Sequence, residues 1–218
     1  MRTRNQLEVL AVVLLFTASL VGQGASGPPN APPDHLDKEP WSFSFRTTGY
    51  VVPHDLSYAS PTFTADYDRL HLEARYNYED QETGSLWLGY NLNFGEKLVF
   101  EATPMLGGVF GTTAGIAPGF AISLAYRKLA LSSEGEYVFD TGKTSSNFFY
   151  SWNELTYSPV DWFHAGVVSQ RTRAYHTELD LQRGLLFGFS HKKIDFTTYI
   201  LNAGWTDPTF VISLGFNF

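Results

Sequence analysis

Serine and histidine side chains could supply a nucleophile and its base, and three such pairs lie close together along the chain. The pairs are His164 with Ser169, Ser190 with His191, and His54 with Ser57. Two side chains of one strand face the same way only when their spacing is even, and none of these three spacings is even. A catalytic pair would therefore have to combine residues from different strands.

Imidazole and carboxylate groups could also hold a divalent cation where they share one face of a strand. His71 and Glu73 do so, and His176, Glu178 and Asp180 would do so if their segment is extended. Two or three such ligands without a closed set form a weak metal signature. Alternating charges on one strand face more often belong to a hydrogen-bonded network. The sequence therefore predicts no metal site and no organic cofactor.

These polar side chains lie in segments where apolar and polar residues alternate. Along 69–78 the apolar side chains occupy the even positions, while His71 and Glu73 are among the polar residues at odd positions. Successive residues of a strand face opposite sides, so the segment predicts a β-strand with one apolar face. The same alternation recurs along 84–94 and 119–128.

The composition restricts the class of protein that could contain such strands. Hydrophobic residues make up 44% of the 218-residue chain and aromatic residues 16%, which excludes a disordered polypeptide. A mean hydropathy of −0.14 is too polar for a bundle of membrane helices. With a net charge of −7 and no basic cluster, the chain is not expected to bind nucleic acid. A transmembrane β-barrel satisfies these limits, because only alternate residues of its strands face lipid.

The final segment, 208–218, carries the most specific signal in the sequence. Its apolar residues alternate with small or polar ones, and they are Phe210, Ile212, Leu214, Phe216 and Phe218. This segment resembles the closing strand of bacterial outer-membrane β-barrel proteins, which ends in an aromatic residue and is recognised by the barrel-assembly machinery. The resemblance implies that the chain is inserted in the bacterial outer membrane and that these five residues form its assembly signal.

The N-terminal residues indicate export. Two arginines precede an apolar run from Val9 to Val21, and small residues follow it. That order is typical of a secretory signal peptide, and the run is shorter than the roughly 20 residues that a membrane helix needs. We therefore predict a cleaved signal peptide at 1–26. Five prolines within 27–40 predict a periplasmic linker that cannot enter a sheet, which leaves 41–218 as the barrel.

The predicted fold is all-β: an antiparallel transmembrane β-barrel of about twelve strands, with ten as the second choice. Single-chain bacterial barrels have even strand counts and leave no open sheet edge in lipid. Connections alternate in length, as expected for short periplasmic turns and longer outer loops, and the longest loop is predicted at 107–119. The predicted strands are 41–52, 61–67, 69–79, 84–94, 97–107, 119–128, 129–139, 148–157, 162–172, 179–190, 193–202 and 208–218.

The polar strand faces are expected to line the lumen of this barrel. The predicted lumen-lining residues are Arg46, His71, Glu73, Arg75, Trp87, Asn91, Asn93, Glu101, Arg127, Glu134, Glu136, Trp152 and Glu154. About eight strands fill with side chains and sixteen leave an aqueous pore, so twelve leave both outcomes open. The favoured function is a narrow porin-like channel for small polar solutes. The alternatives are a closed structural barrel and an enzyme that modifies lipid or lipopolysaccharide, whose His-x-Ser pattern is absent.

Outer-membrane lipids and lipopolysaccharide are the expected surroundings of such a barrel. Arg171, Arg173 and Arg183 lie in or beside one predicted outer hairpin, where they could contact lipopolysaccharide phosphates or form ordinary rim charge. Arg183 shares the parity of Leu181 and Leu185, which conflicts with a lipid-facing assignment of that row unless a bulge intervenes. An adhesive role is less favoured, because the longest predicted loop is modest and consists mostly of glycine, threonine and alanine.

Overall fold

The described part of the chain consists of antiparallel strands joined by turns. The computed structural model describes residues 41–51, 57–142, 147–171, 181–204 and 208–218. The predicted signal peptide and linker lie outside the described residues, as do His54, Arg173, His176, Glu178 and Asp180. Nowhere within the described ranges is there a helix long and apolar enough to cross a membrane.

Thirteen strand segments follow one another within the described residues. They are β1 (Ser42–Val51), β2 (Tyr58–Tyr67), β3 (Leu70–Tyr76), β4 (Thr83–Tyr90), β5 (Leu92–Phe94), β6 (Leu98–Gly111), β7 (Gly115–Tyr126), β8 (Leu129–Asp140), β9 (Phe148–Val160), β10 (Phe163–Arg171), β11 (Leu181–His191), β12 (Ile194–Leu201) and β13 (Thr209–Asn217). Segments β4 and β5 both pair with β6 in one continuous register, so Asn91 only interrupts a single crossing. The predicted count of twelve spanning strands is confirmed.

The strands form a closed ring. Each crossing pairs with its neighbour along the chain, and β1 pairs antiparallel with β13 to close the barrel. At this seam the backbones of Phe43 and Phe218 exchange two hydrogen bonds, of 3.0 and 2.9 Å, and their rings stack with centroids 6.1 Å apart. Closure leaves no unpaired sheet edge, which is the condition for a sheet to lie in lipid.

Strand β2 is longer than the sequence indicated. The second strand was expected to begin at Pro61, but β2 begins at Tyr58. Pro61 lies opposite Thr47 of β1, and the pairing of β2 with β3 ends at Thr62. The proline therefore lies where one neighbouring strand no longer needs a backbone donor from it.

The predicted long loop at 107–119 is wrong. Strand β6 continues to Gly111 and β7 begins at Gly115, so the connection is only three residues long. The glycines that suggested a loop instead make room for the indole of Trp87. A Cβ atom at Gly107 or Gly119 would lie 2.5 or 2.9 Å from that ring.

Apolar side chains cover the outside of the barrel. Leu86 and Leu88 of β4 are 61% and 58% exposed, whereas Trp87 between them is 3% exposed. This inward–outward pattern is the one expected of a sheet whose outer face contacts lipid. A belt of exposed aromatic residues near one end comprises Tyr67, Tyr90, Tyr126, Tyr157 and Trp162. Such belts lie at the interface between hydrocarbon and water.

The two ends of the barrel differ in their connections. Turns of two or three residues lie at one end, here called the short-turn end, and they are 68–69, 95–97, 127–128, 161–162 and 192–193. Asp68, Arg127 and Lys192 adopt φ values of 53 to 56° in these turns, as tight hairpins require. The opposite end, here called the long-loop end, contains 77–82, 112–114 and the connections that fall partly outside the described residues.

Candidate functional site

The inward-facing side chains enclose a cavity of about 610 Å³ within the barrel. It extends from Ser44 and Ser158, near the short-turn end, to Tyr50 and Trp152, nearer the long-loop end. Strand alternation brings hydroxyl groups from many strands to its wall, among them Thr48, Thr64, Ser123, Thr156, Thr197 and Ser213. A wall of this kind offers hydrogen bonds to water and to polar solutes.

Charged residues are prominent on the cavity wall. Six of the residues predicted to line the lumen lie there: Arg46, Glu73, Glu101, Glu134, Trp152 and Glu154. Asp195 is a further carboxylate of the wall that the prediction missed. Its signal was present in β12, where Asp195 alternates with Ile194 and Phe196, which are exposed on the outside of the barrel.

Arg75 connects two strands of the wall that are not neighbours. Its Nε donates to Glu73 Oε1 at 2.7 Å, and its Nη1 donates to Glu136 Oε2 at 2.8 Å. The guanidinium carbon also lies 4.3 Å from the ring centre of Tyr78 and 4.4 Å from that of Trp87. Because β3 and β8 are not neighbours in the ring, the bond to Glu136 crosses the lumen.

His71 belongs to a hydrogen-bonded network rather than a recognisable metal centre. Its Nδ1 lies 2.8 Å from Asp66 Oδ1, and its Nε2 lies 3.2 Å from Glu73 Oε2. Asn91 extends the network, because its Nδ2 donates to Asp66 at 2.7 Å and its Oδ1 accepts from Thr103 at 2.7 Å. No group of three histidine or acidic residues suited to a metal ion occurs in the described part of the chain.

Aromatic side chains line the part of the cavity nearer the long-loop end and narrow the lumen there. Tyr50, Tyr78, Tyr150, Trp152 and Tyr199 pack against one another there and are here called the constriction. Tyr78 donates to Glu134, whereas Trp152 Nε1 and Tyr199 Oη donate to Glu154 at 2.6 and 2.8 Å. Towards the long-loop end the constriction continues into buried Val168, Leu186, Leu201 and Val211. Solutes entering from the short-turn end would meet this aromatic layer.

Comparison with known proteins identifies the fold. No protein-family model and no curated protein matches the sequence. Among solved structures, a KdgM porin matches with a TM-score of 0.59 and 11% identity over 80% of this chain and 99% of that chain. A KdgM porin in complex with disordered oligogalacturonate matches with a TM-score of 0.55, 10% identity and coverages of 81% and 99%. A NanC porin gives a TM-score of 0.55, 9% identity and coverages of 79% and 98%. The chain has the fold of a bacterial outer-membrane β-barrel.

The remaining predicted lumen residues of this outer-membrane barrel lie in different surroundings. Trp87 is buried in a second inward cluster with Met105, Val109, Ala117 and Val138. Asn93 is exposed near the short-turn end. Arg127 is not on the inner wall: it occupies the turn between β7 and β8, with its guanidinium carbon 5.2 Å from the ring centre of Tyr126. The strand alternation that placed it inside ends at Tyr126.

The predicted closing-strand residues lie outside the lumen. Phe210 and Ile212 are each 43% exposed on the outer wall, while Val211 between them is fully buried. The five residues Phe210, Ile212, Leu214, Phe216 and Phe218 therefore follow one outward-facing row, with Phe218 just beyond the end of β13. Their alternation agrees with the sequence-based assignment of one apolar face.

One histidine contacts a hydroxyl group across the inner wall, and a carboxylate lies within hydrogen-bonding distance of the same hydroxyl. His164 Nε2 lies 3.2 Å from Thr197 Oγ1, and Thr197 Oγ1 donates to Asp195 Oδ1 at 3.1 Å. The Asp195 carboxylate can only accept, so it competes with the imidazole for the single hydroxyl proton of Thr197. A base that activates a nucleophile has to accept that proton.

Proposed function

We propose that this outer-membrane barrel is a passive, narrow channel for small polar solutes, with its short-turn end in the periplasm. The observation that carries the proposal is the cavity of about 610 Å³, whose hydroxyl and charged wall lies inside a barrel with an apolar exterior. A barrel filled completely by its own side chains would leave no room for a cavity of this size. The similarity of the fold to solved structures of a KdgM porin and a NanC porin also supports a channel function.

A closed structural barrel is the principal alternative, and the constriction is the feature that favours it. Several buried polar atoms around and beyond the constriction argue against a dry plug. Among the described residues, Ser60 Oγ, Glu79 Oε2, Glu136 Oε1 and both amide atoms of Gln170 have no hydrogen-bonding partner. Burying such atoms without water is costly, so we infer that water penetrates this half of the lumen.

A lipid-modifying enzyme is less well supported than a channel. At the contact between His164 and Thr197, the Asp195 carboxylate competes for the hydroxyl proton that a catalytic base would have to accept. The contact also faces the lumen, whereas a lipid substrate would approach the outer wall. The proposal therefore assigns these groups to the polar lining of the channel and no catalytic step to them.

We also propose two partners for the outer wall. Arg171 and Arg183 are exposed and outward-facing near the long-loop end, where they could bind lipopolysaccharide phosphates. The pairing of β10 with β11 continues without a shift through Arg183, so no bulge turns its side chain inward. The outward row ending at Phe218 supports recognition of the closing strand by the barrel-assembly machinery.

Single-channel recording in a planar bilayer tests the channel proposal. The refolded protein should give discrete conductance steps, and Glu134→Gln/Glu136→Gln should alter their size because both carboxylates lie on the inner wall. Tyr137→Phe is the matched control, because Tyr137 follows Glu136 directly but faces outward, and it should leave the steps unchanged. A correctly folded barrel that never conducts would contradict the proposal.

A further inference from the structure

Charge on the cavity wall is unevenly distributed. Arg46 is the one guanidinium among the described residues that line the cavity, whereas five carboxylates line it: Glu73, Glu101, Glu134, Glu154 and Asp195. A lumen with low-dielectric walls concentrates the field of such charges and attracts ions of opposite sign. Building on the proposed channel function, we infer that the lumen passes small cationic solutes in preference to anionic ones.

The second inward-facing arginine does not offset this excess. Arg75 is bound directly by Glu73 and Glu136, and its Nη1 lies 3.9 Å from Glu79. Three carboxylates therefore surround one guanidinium in this cluster. The cluster as a whole adds negative rather than positive charge to the lumen.

The hydrogen bonds that hold the cavity carboxylates come largely from neutral groups. Glu134 accepts from Tyr78, and Glu154 accepts from Trp152 and Tyr199. Asp195 accepts from the hydroxyl groups of Ser190 and Thr197 at 2.6 and 3.1 Å. Such donors position a carboxylate and leave its charge uncancelled. These hydrogen bonds therefore hold the carboxylates in place at the constriction and between it and the short-turn end.

Basic residues outside the lumen are poorly placed to reverse the selectivity. In the described chain, basic side chains of the short turns include Arg69, Lys97, Arg127, Lys128, Lys192 and Lys193. Lys128 Nζ donates outward to the Pro159 carbonyl oxygen at 2.6 Å. Charges exposed at the rim are screened over about 10 Å at 0.1 M salt, whereas charges within the lumen are screened less.

The cationic solutes inferred for this lumen differ in charge from the oligogalacturonate observed with the similar porin. Oligogalacturonate carries one carboxylate per sugar unit, so it is a polyanion. Its passage would bring negative charge past Glu101, Glu154 and Asp195, with Arg46 as the cation of the same wall. Like charges repel one another, and this repulsion would disfavour the polyanion relative to a cationic solute. Small cations and polyamines fit the wall better.

The reversal potential in a potassium chloride gradient tests the selectivity. The unchanged protein should pass potassium several-fold better than chloride. Glu101→Gln/Glu154→Gln/Asp195→Asn should reduce this ratio, and Arg46→Gln should increase it. The matched control, Asp68→Asn/Glu96→Gln/Asp161→Asn, removes three carboxylates from the short turns and should change the ratio much less. Heat-modifiable electrophoretic migration would verify that each variant is folded.

A second readout uses two charged probes added to the conducting channel. Spermine should enter the lumen and reduce the current in a voltage-dependent way, whereas oligogalacturonate should not. Conductance with chloride preference, or a potassium preference that survives the lumen triple substitution, would overturn the selectivity inference and leave the channel proposal standing. A folded but silent barrel would instead overturn the channel proposal and this inference with it.

Discussion

Arg75 on β3 donates to Glu136 on β8 at 2.8 Å, and this bond spans the lumen between two strands that are not neighbours in the barrel. It connects two separate parts of the inner wall in the half of the lumen towards the long-loop end. The same guanidinium packs between the rings of Tyr78 and Trp87. Arg75 therefore contacts the charged network, the constriction and the second inward cluster, which contains Trp87.

Substitution of Arg75 is expected to destabilise the barrel. Arg75→Met should lower the free energy of unfolding by about 3–5 kcal/mol, because it leaves Glu73 and Glu136 buried without their cation. Urea unfolding in lipid vesicles, followed by tryptophan fluorescence, measures this change. Arg75→Met/Glu136→Met should lose less than the sum of the single substitutions. Strict additivity would contradict a direct cross-lumen interaction.

Tyr78 is expected to limit conductance. Tyr78→Ala should raise single-channel conductance, because it removes one ring of the constriction. Tyr78→Phe retains the ring and loses only the hydrogen bond to Glu134, so its effect on conductance should be smaller. Tyr76→Ala is the control, since Tyr76 faces outward and is 49% exposed. Equal conductance for Tyr78→Ala and Tyr76→Ala would show that Tyr78 does not restrict the permeation path.

Two adjacent glycines offer a matched test of interior packing. A Cβ atom at Gly107 would lie 2.5 Å from the indole of Trp87, whereas one at Gly108 would have no atom within 4 Å. Gly107→Ala should therefore cost about 1–3 kcal/mol of stability through overpacking. Gly108→Ala should cost much less. Urea unfolding of both variants provides the comparison, and similar midpoints would contradict the placement of Trp87.

The sequence predicted the wall of this barrel better than its interior. Strict alternation determines which side of a strand a residue occupies, so Arg46, Glu101 and Glu154 could be assigned to the inside. Contacts across the lumen depend on the register of non-neighbouring strands, which alternation does not encode. The bond between Arg75 and Glu136 was therefore not predictable from spacing alone.

The errors of prediction have a related origin. Gly107 suggested a loop because glycine is common in loops. In the structure it lies within a strand, where the missing side chain leaves room for the indole of Trp87 on a neighbouring strand. Arg127 continued an alternating pattern beyond the last residue of β7, where the chain turns. A local pattern cannot show where a strand ends when the turn residue is itself polar.

The outward-facing arginines predict preferential retention of lipopolysaccharide. Arg171 and Arg183 lie on adjacent strands, with Arg183 opposite Ser169, and Arg171 lies 6.0 Å from the ring centre of Phe149. Arg171→Gln/Arg183→Gln should reduce the number of lipopolysaccharide molecules retained per barrel in native mass spectrometry. Lys192→Gln/Lys193→Gln removes two charges from the opposite end and should retain the normal number. Equal retention by both variants would contradict phosphate binding at Arg171 and Arg183.

Phe218 is expected to contribute to assembly in cells more than to the stability of the finished barrel. Its backbone closes the seam with Phe43, and that pairing does not depend on the side chain. Its ring stacks on Phe43 but is 58% exposed in the folded barrel, so it buries little surface there. Phe218→Ala should therefore reduce the heat-modifiable, folded fraction in outer membranes. Refolding of the purified variant into detergent should be affected much less.

Phe94→Ala is the matched control for this prediction. Phe94 is a similarly exposed aromatic residue near the short-turn end, but it stacks on Phe100 and does not belong to the closing strand. If the aromatic ring acts as a recognition signal, the cellular defect should be confined to Phe218→Ala. Equal defects in both variants would show that loss of an interfacial aromatic suffices. A defect of Phe218→Ala that is equally large in detergent would assign the effect to the seam itself.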